Sequence, residues 1–365
     1  MRKFGEGCRG QGVKGKYSVV PYPACVGWVD RFIPGWSKAQ LRDSLKLVRD
    51  FMAPDWDIHP EMISHTRVLN LQTGRPFAEI NKHTMENSHP AEPVSVDYLA
   101  EYISFALQIL KNAELPCEGF TTPGGFGNLV KSELSLAAID ALRATFDVEV
   151  PHYFKYLETG DASTQPQVEH ASGLTTDDPK CAVNVIAGTG DWFGGWDGVG
   201  AGDIEESADR FITADFKKGR MVEMIERDEP AIMLCHWPGI YCNREEDGFK
   251  IFQKAVTRMN EGYGDRVAWM KLSEIARYWA AKELTSIKKS EAAVELNAPF
   301  AAPDYTLRFK MPAKRAPEVV VGLERKPLPL KEAKTQKELT AGTWLRDGEF
   351  VVVCFDLPKG ITRVL

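Results

Sequence analysis

What this chain lacks narrows it first. No window approaches the ~18 consecutive apolar residues of a membrane span, although 44% of its 365 residues are hydrophobic. Residues 1–10 carry Arg2, Lys3 and Arg9 but no apolar run, so the pattern of a secretory signal is missing and a cytoplasmic protein is expected. Cysteine occurs seven times, at 8, 25, 117, 181, 235, 242 and 354, without the CxxC spacing of a zinc site. An odd, scattered set is expected to be free thiols of a reducing compartment. An excess of positive charge is also absent. The formal charge of −6 and pI near 5.8 argue against a nucleic-acid or membrane-surface binder. Residues 188–198 are glycine-rich but lack the Lys-Ser/Thr of a P-loop and the spacing of a dinucleotide fingerprint. There is no internal repeat.

What is present alternates between strand and helix periods over the first ~290 residues. Residues 16–21 and 55–59 read as buried strands. Ser37-Lys-Ala-Gln40 is a capping box opening a helix with Leu41, Leu45, Val48 and Met52 on one face. Ser95 opens another, with Leu99, Ile103, Ala106 and Leu110 as its stripe. Further strands are expected at 147–151, 181–187, 231–236 and 266–272, with Ser273 capping a last helix. Beyond about residue 286, Lys- and Pro-rich stretches separate short strand patterns, and Asp347-Gly348 is a hairpin signal. The expected division is a 1–295 α/β domain and a 296–365 antiparallel β appendage. Repeated βα units imply a parallel sheet.

The candidate chemistry gathers where strands end. Ala231-Ile-Met-Leu-Cys-His236-Trp237-Pro-Gly is an apolar run emptying into a loop, the position active-site residues take in α/β barrels. His236 is the general acid/base candidate, because imidazole titrates near neutrality. Asp191 is a candidate to orient it. On the earlier strand, Asp57, His59 and Glu61 share a face by alternation, and His65 follows closely. His59 and His65 are the candidate ligands of a divalent metal, zinc the expected ion. His89-Pro90 is an alternative ligand. Pro123, Gly124 and Gly125 form a turn whose amides can approach an oxyanion. Trp192, Trp196 and Trp237 offer flat apolar faces of the kind on which sugar rings stack.

The order of these elements resembles the polysaccharide deacetylase (NodB-homology) family. The stretch at residues 12–20 is similar to that family's second strand. Residues 55–66, with His59 and His65, resemble its metal-histidine motif, although five residues rather than three separate the two histidines. Glu86-Asn-Ser-His89-Pro90 resembles the end of the same motif. Gly119-Phe-Thr-Thr-Pro123-Gly-Gly125 looks like its Arg-x-Pro-aromatic-Gly motif, with Thr121 in place of the arginine and Gly124 in place of the aromatic residue. Leu234-Cys-His236 looks like the last motif, whose histidine acts as acid, and residues 269–275 match the terminal strand and helix start. The likeness spans about residues 5–285 and implies a distorted (β/α) barrel, here expected to lack its first strand. It also implies metal-assisted hydrolysis that removes an acetyl group from a carbohydrate. In that reading Gly124 and Gly125 stabilise the oxyanion and His236 protonates the leaving group. The family's Asp-Asp pair has no counterpart here. That absence keeps open a catalytically inactive carbohydrate-binding or assembly protein, while a glycosidase or sugar isomerase would need a carboxylate pair.

Overall fold

The computed structural model describes residues 1–195, 200–290, 293–311, 315–322 and 326–365. Trp196, one of the three tryptophans singled out above, lies outside them. The described chain is mixed α/β and divides into two compact units. One comprises Met1–His170, Ala182–Gly264 and Ala268–Ser273; the other comprises Ala171–Cys181, Asp265–Val267 and Glu274–Leu365.

The first unit opens with α1 (Arg2–Gly10), β1 (Gly15–Val19), α2 (Lys38–Leu47) and β2 (Trp56–Pro60). Ser37 caps α2 in the expected capping box, its hydroxyl accepting from Gln40 N–H. A two-residue hairpin, β3 (Leu69–Asn70) and β4 (Arg75–Pro76), precedes α3 (Val96–Asn112), β5 (Gly119–Thr121), α4 (Lys131–Phe146) and β6 (His152–Leu157). Then come β7 (Gln167–Ser172), β8 (Lys180–Ala187), α5 (Ile204–Phe211), α6 (Arg220–Glu226), α7 (Trp237–Tyr241), α8 (Asp247–Tyr263) and α9 (Leu272–Leu284).

β1 and β2 pair in parallel, with Lys16 opposite Asp57 and Ser18 opposite His59. A parallel bridge from Glu61 to Thr121 links the end of β2 to β5. β5, β6 and β8 continue in parallel, and β7 lies at that sheet's edge. α3 packs on α4 with Leu99, Ile103, Ala106, Leu107 and Leu110 fully out of water, each large side chain contributing about 1.5–3 kcal/mol of burial.

Three expected strands are not formed. The chain turns left-handed at Asp147, whose φ is +56°, and β6 begins only at His152, after Pro151, which has no N–H to give a ladder. Residues 231–236 are extended but build no ladder. They dock on the exit of β8 through Gly188 N–H to Ile232 O (3.0 Å) and Leu234 N–H to Thr189 Oγ1 (3.0 Å). Residues 266–271 also carry no strand, and α9 starts at Leu272, so Ser273 lies in its first turn. Among the described residues the assigned strands do not close into a barrel.

The second unit takes α9 from Glu274 and a run of short strands: β9 (Ser286–Lys289), β10 (Val294–Ala298), β11 (Ala302–Lys310), β12 (Val319–Val321), β13 (Lys326–Leu328), β14 (Lys331–Glu332), β15 (Thr343–Asp347), β16 (Phe350–Leu357) and β17 (Gly360–Val364). They form two sheets, ordered β13-β12-β17-β10-β9 and β11-β16-β15-β14, antiparallel except between β14 and β15. Leu296, Val319, Val351, Val353 and Phe355 fill its core. Gly348 and Glu349 make the β15–β16 turn after Asp347, Gly348 supplying the positive φ of +59°.

Candidate functional site

Side chains of β1, β2, β5 and β6, and of the loops that follow β2 and precede α7, line a common space. The result is a cavity of about 730 Å³ in the first unit. Lys16, Ser18, Glu61, His65 and Thr121 bring polar groups to it, while Tyr17, Trp56, Phe154 and Trp237 supply flat apolar walls. His236 lies on its wall, at the residue before α7.

His236 and Asp191 meet. Imidazole Nδ1 lies 2.6 Å from Asp191 Oδ2, the aspartate nearly buried and the histidine partly open. Their meeting follows from the docking described above, since Gly188, Thr189 and Asp191 successively engage Ile232, Leu234 and His236. With Nδ1 committed to the carboxylate, Nε2 is the ring atom left for proton transfer.

A second carboxylate–imidazole pair lines the same cavity, His65 Nε2 lying 3.2 Å from Glu61 Oε1. Burial opposes ionisation of Glu61, yet hydrogen bonds from His65 and Ser18 and the charge of Lys16 together bring its carboxyl down to about 2. The bond to Glu61 in turn raises the proton affinity of His65 above its ordinary 6.5. The loop between them is forced. Met62 and His65 both take positive φ (+47° and +64°), a conformation non-glycine residues adopt only when their surroundings impose it. Glu86 is that constraint. Its buried carboxyl accepts from Ile63 N–H (3.0 Å), Ser64 N–H (3.0 Å) and Tyr102 Oη (2.7 Å). Burial pushes it up to about 7 despite those bonds.

Beneath the cavity lies a third polar group, Asp57, His59 and His152, whose ligand atoms all fall within 4.8 Å of one another. His59 Nε2 is 3.0 Å from His152 Nε2, and His152 Nε2 is 3.9 Å from Asp57 Oδ2. Asp57 is fixed by Ser273, whose N–H and Oγ donate at 2.6 and 2.9 Å. Both histidines are completely buried, and burial together with His152 and Lys16 holds His59 well below its usual value, so its ring is neutral. Gly119 makes the cluster possible, because a Cβ there would come within 2.6 Å of His152 Nε2 and of its carbonyl. Two imidazoles and a carboxylate are a donor set for a divalent transition metal. Thr121 connects this group to the cavity: it lines the cavity, and its Oγ1 is 3.2 Å from His59 Nδ1.

The remaining predicted residues divide. Gly124, with φ +45°, lines the cavity, as does Trp237, which stacks on Tyr241 at 5.6 Å. Gly125 and Pro123 do not line it, and the Gly125 amide, expected to serve an oxyanion, donates instead to Asn87 O at 2.7 Å. Trp192 packs against Phe211 (5.2 Å) with Arg210 over its ring, away from the cavity lining. His65 belongs to the Glu61 pair and not to the His59 group. His89 bonds Tyr98 Oη at 3.1 Å, and burial brings it down to about 4.

No protein-family model matches this chain, and no curated protein does. Among the described residues no helix is long and apolar enough to cross a membrane.

Sequence reasoning missed His152, Lys16, Ser18 and Glu86. The alternation His152, Phe154, Tyr156 was a readable signal once Pro151 marked a strand start. Nothing local marks Glu86, whose partners lie more than fifteen residues away on either side.

Proposed function

We propose that the chain is a hydrolase that removes an acyl group, acetyl the expected case, from a carbohydrate bound in the 730 Å³ cavity. The expected framework is an α/β barrel of the deacetylase type. The observation that carries this reading is the Asp191–His236 contact of 2.6 Å at a cavity that also holds the Glu61–His65 pair. Ester or amide hydrolysis needs a base to take a proton from water and an acid to give one to the leaving group. Asp191 orients His236 with Nε2 outward, the arrangement of a general base. His65, whose proton affinity Glu61 raises, is the acid. That division differs from the expectation that His236 protonates the leaving group. Gly124 lets the backbone approach the developing oxyanion closely. The aromatic walls suit the faces of a sugar ring.

Asp57, His59 and His152 would hold the divalent metal, zinc the expected ion. There it would supply a positive charge and would link β2 with β6 through its ligands.

The test is release of acetate from a panel of acetylated oligosaccharides by the wild type and by His236→Ala. Turnover that falls about 10²–10⁴-fold in the variant supports the assignment. A second reading, a carbohydrate-binding protein without catalysis, is favoured by one observation: among the described residues lining the cavity Glu61 is the one carboxylate, so no acid pair like that of the resembled family lines it. Oligosaccharide binding to the wild type with no acetate released would select it.

A further inference from the structure

Lys16 is a nucleophile that the hydrolytic reading does not use. It is the second residue of β1, and its side chain lines the cavity. Its ammonium donates to a neutral acceptor, Ser18 Oγ at 2.8 Å, and lies 4.9 Å from the centre of the Phe154 ring. Thr121 and Cys235 line the cavity with it. Burial lowers its proton affinity from the usual 10.5, and the nearby charge of Glu61 offsets only part of this. A lysine so placed gives up its proton more readily than one in water, and the free amine is the reactive form.

We propose that Lys16 is a second reactive centre of this cavity, whose Nζ condenses with the carbonyl of a small aldehyde or open-chain aldose to form an imine. The Nζ lone pair forms the new C–N bond as the carbonyl π pair moves to oxygen. One nitrogen proton passes to that oxygen, giving a carbinolamine. A further proton, supplied by a cavity imidazole such as His65, lets the oxygen leave as water while the nitrogen lone pair closes the C=N bond. Loss of the remaining N–H proton to the imidazole completes the balance: amine plus aldehyde gives imine plus water. Each component is on the cavity wall. The amine is held by Ser18, the Glu61-backed imidazole of His65 moves protons, and apolar walls flank the amine. The inference does not depend on the hydrolase reading, because imine formation needs neither an acyl substrate nor His236.

The experiment treats the full-length protein with D-glyceraldehyde and cyanoborohydride, which reduces the imine to a stable secondary amine, and maps adducts by peptide mass spectrometry across pH 6 to 10. Each unit by which an ammonium is easier to deprotonate multiplies the free amine tenfold. Lys16 is therefore expected to label faster at pH 7 than the exposed Lys38 and Lys82 of the same molecules, and its rate to plateau at lower pH. Comparison within one wild-type sample keeps the test valid even if Lys16→Arg fails to fold. Where that variant folds, the adduct disappears from this peptide. Labelling of Lys16 no faster than of Lys38 and Lys82 overturns the proposal, whatever the outcome with acetylated sugars.

Discussion

Glu61 and His65 fix each other's protonation, and that coupling is measurable one residue at a time. Glu61 is held at about 2 and His65 above 6.5. The Glu61 contribution is complete above the ordinary carboxylate value of 4.5 and is lost as pH falls toward 2. The His65 contribution is complete below 6.5 and is lost as pH rises through its elevated value. The pair is therefore strongest between about pH 4.5 and 6.5. Glu61→Gln is expected to return the His65 titration, followed by NMR of the ring protons, toward 6.5; an unchanged midpoint would mean that Glu61 is not the partner. At the opposite wall, Asp191→Asn keeps the shape of the contact but lets the amide hold the wrong imidazole tautomer. Acetate release is expected to fall about 10²–10⁴-fold with little change in melting temperature. Equal loss of stability and activity would make Asp191 structural.

At the scale of elements, the site depends on β2 ending in a loop that Glu86 holds from below. A carboxyl raised to about 7 favours the folded state most when protonated. Its contribution is present below 4.5 and declines as pH rises through 7, so wild-type stability should fall between pH 5 and 8. Glu86→Gln removes that titration, and denaturant unfolding at the two pH values should show a shallower fall. A variant as steep as the wild type would assign the slope elsewhere. Gly119 is the other pivot. A methyl group there meets His152 at 2.6 Å on both backbone and ring, so Gly119→Ala should cost about 1–3 kcal/mol by overpacking. How far the sequence disclosed these elements depends on how local each cause is. Asp57 and His59 were readable as one face because β2 is a real strand and alternation is a property of a single strand. His152 reaches them only through the register of β5 with β6 and through the missing Cβ of Gly119, neither of which a linear pattern states. Residues 231–236 look apolar whether they join a ladder or dock by three separate contacts, and periodicity cannot separate the two. The contact of Asp191 with His236 was anticipated as chemistry, but it rests on Thr189, which no motif marked.

At the scale of the whole molecule, the Asp57–His59–His152 group joins segments far apart in sequence, and Ser273 adds the start of α9. An ion bound only in the folded state stabilises it by RT ln(1 + [L]/Kd), about 2.7 kcal/mol at a hundredfold excess over Kd. For a unit of this size that corresponds to roughly 5–10 °C in melting temperature. Zinc added to chelator-stripped protein is expected to produce a rise of that order, and His152→Ala to abolish it. If the three groups form only a hydrogen-bonded chain, from His152 to His59 to Thr121, zinc leaves the transition where it was. Hydrogen exchange distinguishes a specific ion from general metal binding. Protection should increase in β2 and β6 and stay unchanged in β10–β17, whose core of Leu296, Val351 and Phe355 shares no ligand with the site. Protection rising evenly across both units would show that zinc acts somewhere other than this buried cluster. The three side chains would then be a buried hydrogen-bonded group that reaches the cavity through Thr121.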